Sequence, residues 1–240
     1  RRFSVMFKFF NEKSLPVEKQ EAISLLMATP WEILHDSTGY LFHGKKPVRV
    51  RRRLPSRGKK NKIELQDTLR ILLLSPRPVD EQAGYIDHRV SPEALLEATE
   101  PLGDMVELTL LEHPTFEEMR KAIKVADDAG KPFSVVHFDG HGVFDPHRGL
   151  GALCFESNET AEQAKLEGRK TDIVHTDKIL EALRGYRVPF FFLDACQSAM
   201  TKENPTGSVA ATLLETGVAS VAAMSYSVLV TTAGQFAKAF

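Results

Sequence analysis

The sequence predicts an α/β fold with an open, mostly parallel sheet and helices on both of its faces, preceded by a small N-terminal appendage of one helix and one hairpin. From Leu69 onward, short apolar runs alternate with segments of helical character, which is the pattern of parallel strands joined by crossover helices. Several runs are apolar at consecutive positions, as strands buried on both faces of a parallel sheet are. We therefore divide the chain into an appendage over residues 1–62 and a core over residues 63–240.

The overall composition bounds the class of protein. The chain has 240 residues, of which 42% are hydrophobic, and this is enough to bury one large core. Its formal net charge is −1, so the charge balance indicates neither a nucleic-acid nor a membrane partner. No window reaches the roughly 18 consecutive apolar residues of a spanning helix, and a cytoplasmic location is the default expectation. Because the chain opens on Arg1 and stops at Phe240 within a predicted helix, we expect it to be cut from a longer protein.

The appendage combines a predicted helix with the one pronounced charge run of the chain. A helix is expected from Pro16 to Met27, and the segment from Tyr40 to Leu54 has an extended pattern. From Lys45 to Lys62 the sequence holds ten Lys or Arg and no acid. Such a run is most often a solvated hairpin and loop, but contact with an acidic partner and proteolytic nicking remain open.

The strands of the core follow from its apolar runs. Each run is short, lies between polar or turn-forming residues and is rich in β-branched, aromatic or leucine side chains. The runs predict strands at Ile71–Ser75, Met105–Leu111, Phe133–Phe138, Ala152–Phe155, Val188–Leu193 and Ala219–Met224. Residues 158–171 are polar and predict an excursion between strands.

The helices of the core follow from capping residues and stop signals. Ser91 is expected to cap a helix that reaches Thr99, and Thr115 to cap one that ends at Ala129-Gly130, because hydroxyl side chains accept bonds from orphan N–H groups and glycine ends helices. Three more helices are predicted at Asp177–Leu183, Gly207–Glu215 and Thr231–Phe240.

Two predicted strand ends carry the residues with chemical potential. One strand is expected to end in a turn that holds His141 between two glycines, and the strand ending at Leu193 runs directly into Cys196. In open parallel sheets, ligands bind beyond the carboxyl ends of the strands. A catalytic cysteine needs a neighbouring histidine or another cause of a lowered thiol pKa, and these two ends supply such a pair.

The residues by themselves leave a structural interpretation of this pair open. A cysteine at a strand end is more often a small buried hydrophobe than a nucleophile. In favour of catalysis, glycines beside His141 would let the backbone bend sharply, and the N–H groups of Gly142 and Cys196 could converge on an oxyanion. With only Cys154 and Cys196 in the chain, a disulfide framework and a cysteine zinc site are excluded, and we expect neither a metal nor a cofactor.

The two strand ends resemble the paired motifs of the CHAT domains, the caspase-like cysteine peptidases of clan CD. The strings that carry the resemblance are HFDGHG at 137–142 and FLDACQSA at 192–199. Further similar strings are TPWEILHD at 29–36, ILLLSP at 71–76, GSVA at 207–210 and GVASV at 217–221, so that the resemblance covers roughly residues 31–240. It implies a caspase-like fold and cysteine endopeptidase activity.

Carried over to this sequence, the resemblance implies a role for each motif residue. His141 would polarise the scissile carbonyl or protonate the leaving amine, Cys196 would form the acyl-enzyme without an obligatory third acid, and the N–H of Gly142 would serve the oxyanion hole. Asp194 resembles a metacaspase carboxylate that recognises a basic side chain, and we take it with Asp139 as substrate-binding, although a local turn-capping role of Asp194 stays equally open.

Side chains outside the motifs are expected to be structural. We assign His137 to the strand interior and Cys154 to core packing, and we expect His147 and His175 at the surface. If basic residues are preferred at the cleavage site, Lys45–Lys62 becomes a candidate for self-cleavage.

The resemblance also implies partners. CHAT domains often follow TPR repeats in bacteria, and some act within RNA-guided CRISPR assemblies or beside gasdermin-like proteins. We therefore expect a protein substrate, gating by an attached domain such as TPR repeats or by a partner protein, and nucleic acid only indirectly through a complex. The alternative is a catalytically silent caspase-like interaction module of a larger regulatory or defence complex.

Overall fold

The fold is taken from a computed structural model of the chain. The structure describes residues 16, 18, 22, 25–26, 29–40, 66–80, 90–145, 147, 150–159, 163, 168–186, 188–195, 209–215, 217–224, 232 and 235. All structural statements below refer to these residues.

A seven-stranded mixed sheet forms the centre of the described core. Its strands are β3 (Leu69–Leu74), β4 (Val106–Leu110), β5 (Val135–Asp145), β6 (Leu150–Glu156), β7 (Thr171–His175), β8 (Phe190–Ala195) and β9 (Ser220–Ala223). Five of them form a parallel section in the order β4-β3-β5-β8-β9, and β6 and β7 add an antiparallel section to the far end of β5. Strand β7 was not predicted, and it begins at Thr171, the last residue of the predicted polar excursion.

Four α-helices are described beside the sheet. They are α1 (Val90–Thr99), α2 (Phe116–Asp128), α3 (Thr176–Leu183) and α4 (Val209–Glu215), and a 3₁₀ segment that we call η2 (Glu100–Met105) follows α1. The hydroxyl of Thr115 accepts a bond of 3.2 Å from the N–H of Glu118, as the sequence predicted for a cap. Ser91 lies inside α1, which begins one residue earlier, instead of capping it.

Helices cover both faces of the sheet, which confirms the predicted α/β class. On one face, Leu72, Leu74 and Phe138 belong to a cluster of 20 buried residues that also draws on α2, α3 and α4. On the other face, Ile71 and Leu73 pack with Leu95 of α1 in a cluster of three buried residues. Since side chains alternate along a strand, neighbouring residues of β3 serve opposite faces. We call these the large-core face and the α1 face.

The longest strand is β5, and it corrects one prediction. The sequence predicted a turn over residues 139–142, but β5 continues through them to Asp145. Its first half, up to Gly140, pairs in parallel with β3 and β8, and its second half, from His141, pairs antiparallel with β6. The partner strand β6 explains the difference, because antiparallel pairing with this next strand of the chain outweighs the weak strand preference of Asp and Gly.

Gly140 is needed for close packing and not for a bend. A Cβ atom there would lie 2.9 Å from Cε1 of Phe138 and 3.1 Å from Cγ of Pro76. Neither Gly140 nor Gly142 has the positive φ that favours glycine. The turn expected at residues 139–142 is therefore wrong, and the glycine at position 140 lets Pro76 approach the strand.

The described part of the appendage is small. It holds a 3₁₀ turn η1 (Trp31–Ile33) and a two-stranded hairpin of β1 (His35–Asp36) and β2 (Gly39–Tyr40). The four described positions between residues 18 and 26 are helical, as predicted, whereas the basic run Lys45–Lys62 lies outside the described residues. Within the described ranges, the helices lack the length and apolarity to cross a membrane.

Candidate active site

Strands β5 and β8 bring the two predicted site segments side by side. They are parallel neighbours, with Asp139 opposite Asp194 and Gly140 opposite Ala195. The predicted nucleophile Cys196 is the next residue of the chain after Ala195 and lies outside the described residues, as do residues 197–208. The described register thus carries both segments to the same carboxyl edge of the sheet, which is where ligands bind in such folds.

His141 sits at the position where β5 changes partner. It is half-buried and is the first residue of β5 that pairs with β6, opposite Cys154. By the two-residue period of the strand it shares a face with His137 and Asp139. This is the α1 face, so the polar residues of β5 all lie on the side opposite the large cluster.

Cys154, across from His141, is buried and poorly suited to act as a nucleophile. Its thiol is not part of a disulfide, and the residue is 2% exposed. Burial, with a smaller contribution from the charge of Asp80, raises the pKa of the Cys154 thiol to about 11. The thiolate is the reactive form, so these surroundings agree with the predicted role in core packing.

Asp139 is bound within the protein by residues that follow β3. The guanidinium of Arg77 forms an ion pair of 2.5 Å with its carboxylate and donates a second bond of 2.6 Å to its backbone carbonyl. The hydroxyl of Ser75 donates to the same carboxylate oxygen at 3.0 Å. The side chain of Asp139 is 4% exposed, and its contacts among the described residues are all within the protein. Its predicted role in substrate binding stays untested.

Arg77 also ties this network to β6. Its backbone N–H donates to the carboxylate of Glu156 at 3.0 Å, and Arg169 lies 3.6 Å from the other oxygen of that carboxylate. The segment after β3 is therefore bound to Asp139 of β5 and to Glu156 of β6, which lie before and after His141 in the sequence. Such fastening restricts the backbone that carries His141.

Asp194 lies within β8 rather than on a loop at the mouth of the site. It is 9% exposed and stands opposite Asp139 across the parallel pair. Neighbouring strands are about 4.8 Å apart, and two carboxylates at such a separation repel each other when both are ionised. The guanidinium of Arg77 supplies a positive charge at this position of the sheet, which offsets part of that repulsion.

His137 is a buried neutral imidazole. It is 3% exposed and its ring lies 4.6 Å from the ring of Phe192, centroid to centroid. Burial lowers its pKa to about 4, against an opposing effect of the Asp139 charge. Its Nε2 has no hydrogen-bond partner among the described residues. These surroundings suit the structural role that the sequence predicted, although His141 belongs to the same strand and not to a turn.

Gly142 lies in the antiparallel ladder opposite Leu153. In such a ladder, N–H groups alternate between pointing at the partner strand and pointing away from it. An oxyanion-hole role for Gly142 requires its N–H to point away from β6, toward the side of β5 on which Ala195 ends β8.

The remaining histidines divide between the surface and the interior. His147 is exposed, as predicted, and its N–H donates to the carboxylate of Asp145 at 2.9 Å. His175 was expected at the surface, but it is half-buried opposite Ala152, and its Nδ1 is buried without a partner among the described residues. The difference arises because the unpredicted strand β7 carries His175 into the sheet.

Sequence reasoning missed Arg77, Ser75 and Glu156. A usable signal was present, since Ser75 ends a predicted strand and Arg77 follows it by two residues, at the same carboxyl edge as His141. Among the described side chains, no group of three or more His, Cys, Asp or Glu is arranged to hold a metal ion.

Comparison with known families assigns the chain. The model of the CHAT domain family matches residues 21–240. The chain belongs to the CHAT domain family. CHAT domains are caspase-like, which relates this chain to the peptidases of that fold. The match begins ten residues before the stretch in which the sequence motifs were identified.

A solved structure similar to this CHAT domain is that of Raptor from Chaetomium thermophilum. The two are 18% identical, with a TM-score of 0.37, and the match covers 60% of this chain and 14% of the Raptor chain. The match thus spans only a small part of the length of the Raptor chain. None of the curated proteins compared with the chain matches it.

Proposed function

We propose that this CHAT domain is a cysteine endopeptidase that hydrolyses peptide bonds in a protein substrate with Cys196 as nucleophile and His141 as its acid/base partner. The observation that carries the proposal is the register of β5 and β8, in which Gly140 lies opposite Ala195. Each of these residues directly precedes one member of the predicted dyad. The register supports the proposal because the two segments that precede His141 and Cys196 lie side by side.

The proposed chemistry uses the two residues in sequence. His141 takes the proton of the Cys196 thiol, the resulting thiolate attacks the scissile carbonyl carbon, and the oxyanion is stabilised by the N–H groups of Gly142 and Cys196. His141 then donates a proton to the leaving amine as the C–N bond breaks, which leaves a thioester on Cys196. Water attacks this thioester, gives up a proton to His141 and releases the new carboxyl end together with the free thiol. The other cysteine, Cys154, is disfavoured as nucleophile because burial raises its thiol pKa.

We further propose that the enzyme cleaves after a basic residue. Asp194 stands opposite Asp139, whose carboxylate is engaged by Arg77, and it precedes Cys196 by two positions. A carboxylate so close to the nucleophile would attract the Lys or Arg side chain of a substrate and repel an acidic one. Asp139 would border the same subsite, with its own charge balanced by Arg77.

Activity would be gated by an attached domain such as TPR repeats or by a partner protein. This expectation comes from the family resemblance. The test of the dyad must therefore also work on the chain without its activating domain or partner. Alkylation by iodoacetamide meets that need, because it reports the reactivity of a thiol without substrate.

The test compares matched variants. In the wild-type chain at neutral pH, we expect iodoacetamide to label Cys196 at least about tenfold faster than Cys154, as measured by peptide mass spectrometry. With turnover of a protein or peptide substrate, Cys196→Ala should abolish cleavage and His141→Ala should reduce kcat/KM by about 10²- to 10⁴-fold. The controls Cys154→Ala and His147→Ala should leave kcat/KM within a few-fold of the wild type.

A different outcome would favour the alternative function, that of a catalytically silent interaction module. If both cysteines label equally slowly and Cys196→Ala leaves every measured property unchanged, the chain is a silent caspase-like interaction module. For the specificity, a panel of fluorogenic peptides decides: turnover confined to substrates with an acidic residue before the cut contradicts the role of Asp194. A preference for Lys or Arg that weakens in Asp194→Asn supports it.

A further inference from the structure

A groove beside the edge strand β4 combines apolar and acidic side chains. It lies between α1, η2 and β4, with a volume of about 530 Å³, and its lining residues are Glu93, Leu96, Glu97, Thr99, Glu100, Gly103, Val106 and Leu108. Large apolar side chains in and beside it are exposed, among them Leu96 at 54% and Met105 at 59%. Exposed apolar side chains next to one another are typical of surfaces that contact another chain segment or protein.

The charged residues that line the groove, Glu93, Glu97 and Glu100, are all acidic. Residues 90–105 contain four acids, namely Glu93, Glu97, Glu100 and Asp104, and no Lys or Arg. The segment Lys45–Lys62 contains ten Lys or Arg and no acid. Two segments of one chain are thus complementary in charge, and complementary potentials favour association.

The covalent chain starts the basic segment close to this groove. The guanidinium of Arg70 bonds both Gln66, at 2.6 Å, and Glu107, at 3.0 Å, and the start of β3 lies opposite the start of β4, with Leu69 paired to Val106 of the groove. Lys62 precedes Gln66 by four residues, so it lies within about 14 Å of this anchored point even when the chain is fully extended. The groove is therefore within reach of the basic segment.

From the groove, the charge complementarity and this tether we infer that the segment Lys45–Lys62 docks intramolecularly in the groove between α1, η2 and β4. Its basic side chains pair with the acids of the rim while its few apolar residues, such as Val48 and Leu54, cover the exposed apolar side chains. A second copy of the chain presents the same basic segment, but the tethered copy has an effective concentration of millimolar order and wins at ordinary protein concentrations.

Limited trypsinolysis of the full chain tests the docking. All proteins carry Cys196→Ala, so that self-cleavage plays no part, and the rate of cutting at Arg51–Arg53 is followed by mass spectrometry at low ionic strength. The variant Glu97→Lys/Glu100→Lys should be cut roughly five- to tenfold faster than the parent, as expected for the loss of a few exposed ion pairs. The control Glu112→Lys/Glu181→Lys changes the net charge equally at exposed positions away from the groove and should be cut at the parent rate.

A charge swap and salt complete the design. Adding Lys59→Glu/Lys60→Glu to the groove variant should restore slow cutting at Arg51–Arg53, and 1 M salt, which shortens the Debye length to about 3 Å, should make the parent as sensitive as the groove variant. Far-UV circular dichroism checks that the groove variant is folded; if it is not, carbodiimide cross-links between the basic segment and α1 or η2 in the parent decide instead. Equal cutting rates in the parent and the folded groove variant, absence of those cross-links, or protection that rises with protein concentration would overturn the intramolecular docking.

Discussion

The two faces of the central sheet differ in what their side chains do. On the large-core face, alternate residues of β3, β5 and β8 are apolar and belong to a cluster of 20 buried residues. On the α1 face, Ile71 and Leu73 of β3 pack with Leu95 of α1, while β5 and β8 carry His137, Asp139 and Asp194. Both faces are built on the same strands, so they differ only in the side chains that alternate between them.

This difference shows which face of the sheet carries the polar and titratable side chains. One face secures the sheet by apolar packing, which leaves the other face able to carry charged and titratable groups near the carboxyl edge. Because such groups cost free energy when buried, each needs a partner or a neutral state. Asp139 has its partner in Arg77, and His137 is neutral.

The largest expected effect comes from consecutive phenylalanines of β8 that serve opposite faces. Phe191 lies in the large cluster, whereas Phe192 packs on the imidazole of His137. We expect Phe191→Ala to lower the free energy of unfolding by about 3–5 kcal/mol, and Phe192→Ala to cost less because fewer apolar neighbours surround the cavity it leaves. Urea denaturation of both variants measures the difference; equal losses would mean that the two faces contribute alike.

The second prediction breaks the charge pair of the α1 face. Arg77→Met removes the guanidinium and leaves the buried carboxylate of Asp139 without its partner, which should cost about 3 kcal/mol of unfolding free energy. The double variant Arg77→Met/Asp139→Asn should recover much of that loss. A double-mutant cycle by chemical denaturation measures the coupling, and additive effects of the two substitutions would show that the ion pair contributes nothing.

The smallest predicted effect is a pH dependence that belongs to the same face. Burial lowers the pKa of His137 to about 4, so between pH 6.5 and 4 the unfolded chain binds a proton that the folded chain does not. Stability should therefore be full above pH 6.5 and fall by up to about 3 kcal/mol as the pH drops to 4.

The measurement compares unfolding free energies across that pH window. His137→Leu should remove this part of the acid sensitivity, while His147→Leu, at an exposed position, should retain the wild-type slope. If the slope of His137→Leu equals that of the wild type, the imidazole of His137 is not the titrating group.

Most of the fold could be predicted from local patterns. The runs at Ile71–Ser75 and Val188–Leu193 lie within one or two residues of the observed β3 and β8, and Thr115 caps its helix as expected. Apolar periodicity and capping chemistry are properties of a few consecutive residues, so they can be read without knowing the rest of the chain.

The candidate site was less predictable. The motifs identified His141 and Cys196 as the residues of interest, and their catalytic roles stay predictions. The turn around His141 was wrong because β6 pairs with that stretch, and the burial of Asp194 followed from its inclusion in β8. Arg77 and Glu156 were missed because their interactions join positions far apart in the chain.

The sequence by itself thus determined the class of the fold, the order of its main elements, the family and the two motif residues on which a peptidase mechanism depends. Only the tertiary structure decided that β5 runs on past Gly140, that Cys154 is a buried thiol opposite His141, and that Arg77 neutralises Asp139. The physical reason is that strand pairing, burial and ion pairing depend on which distant segments meet, and that depends on the packing of the whole sheet.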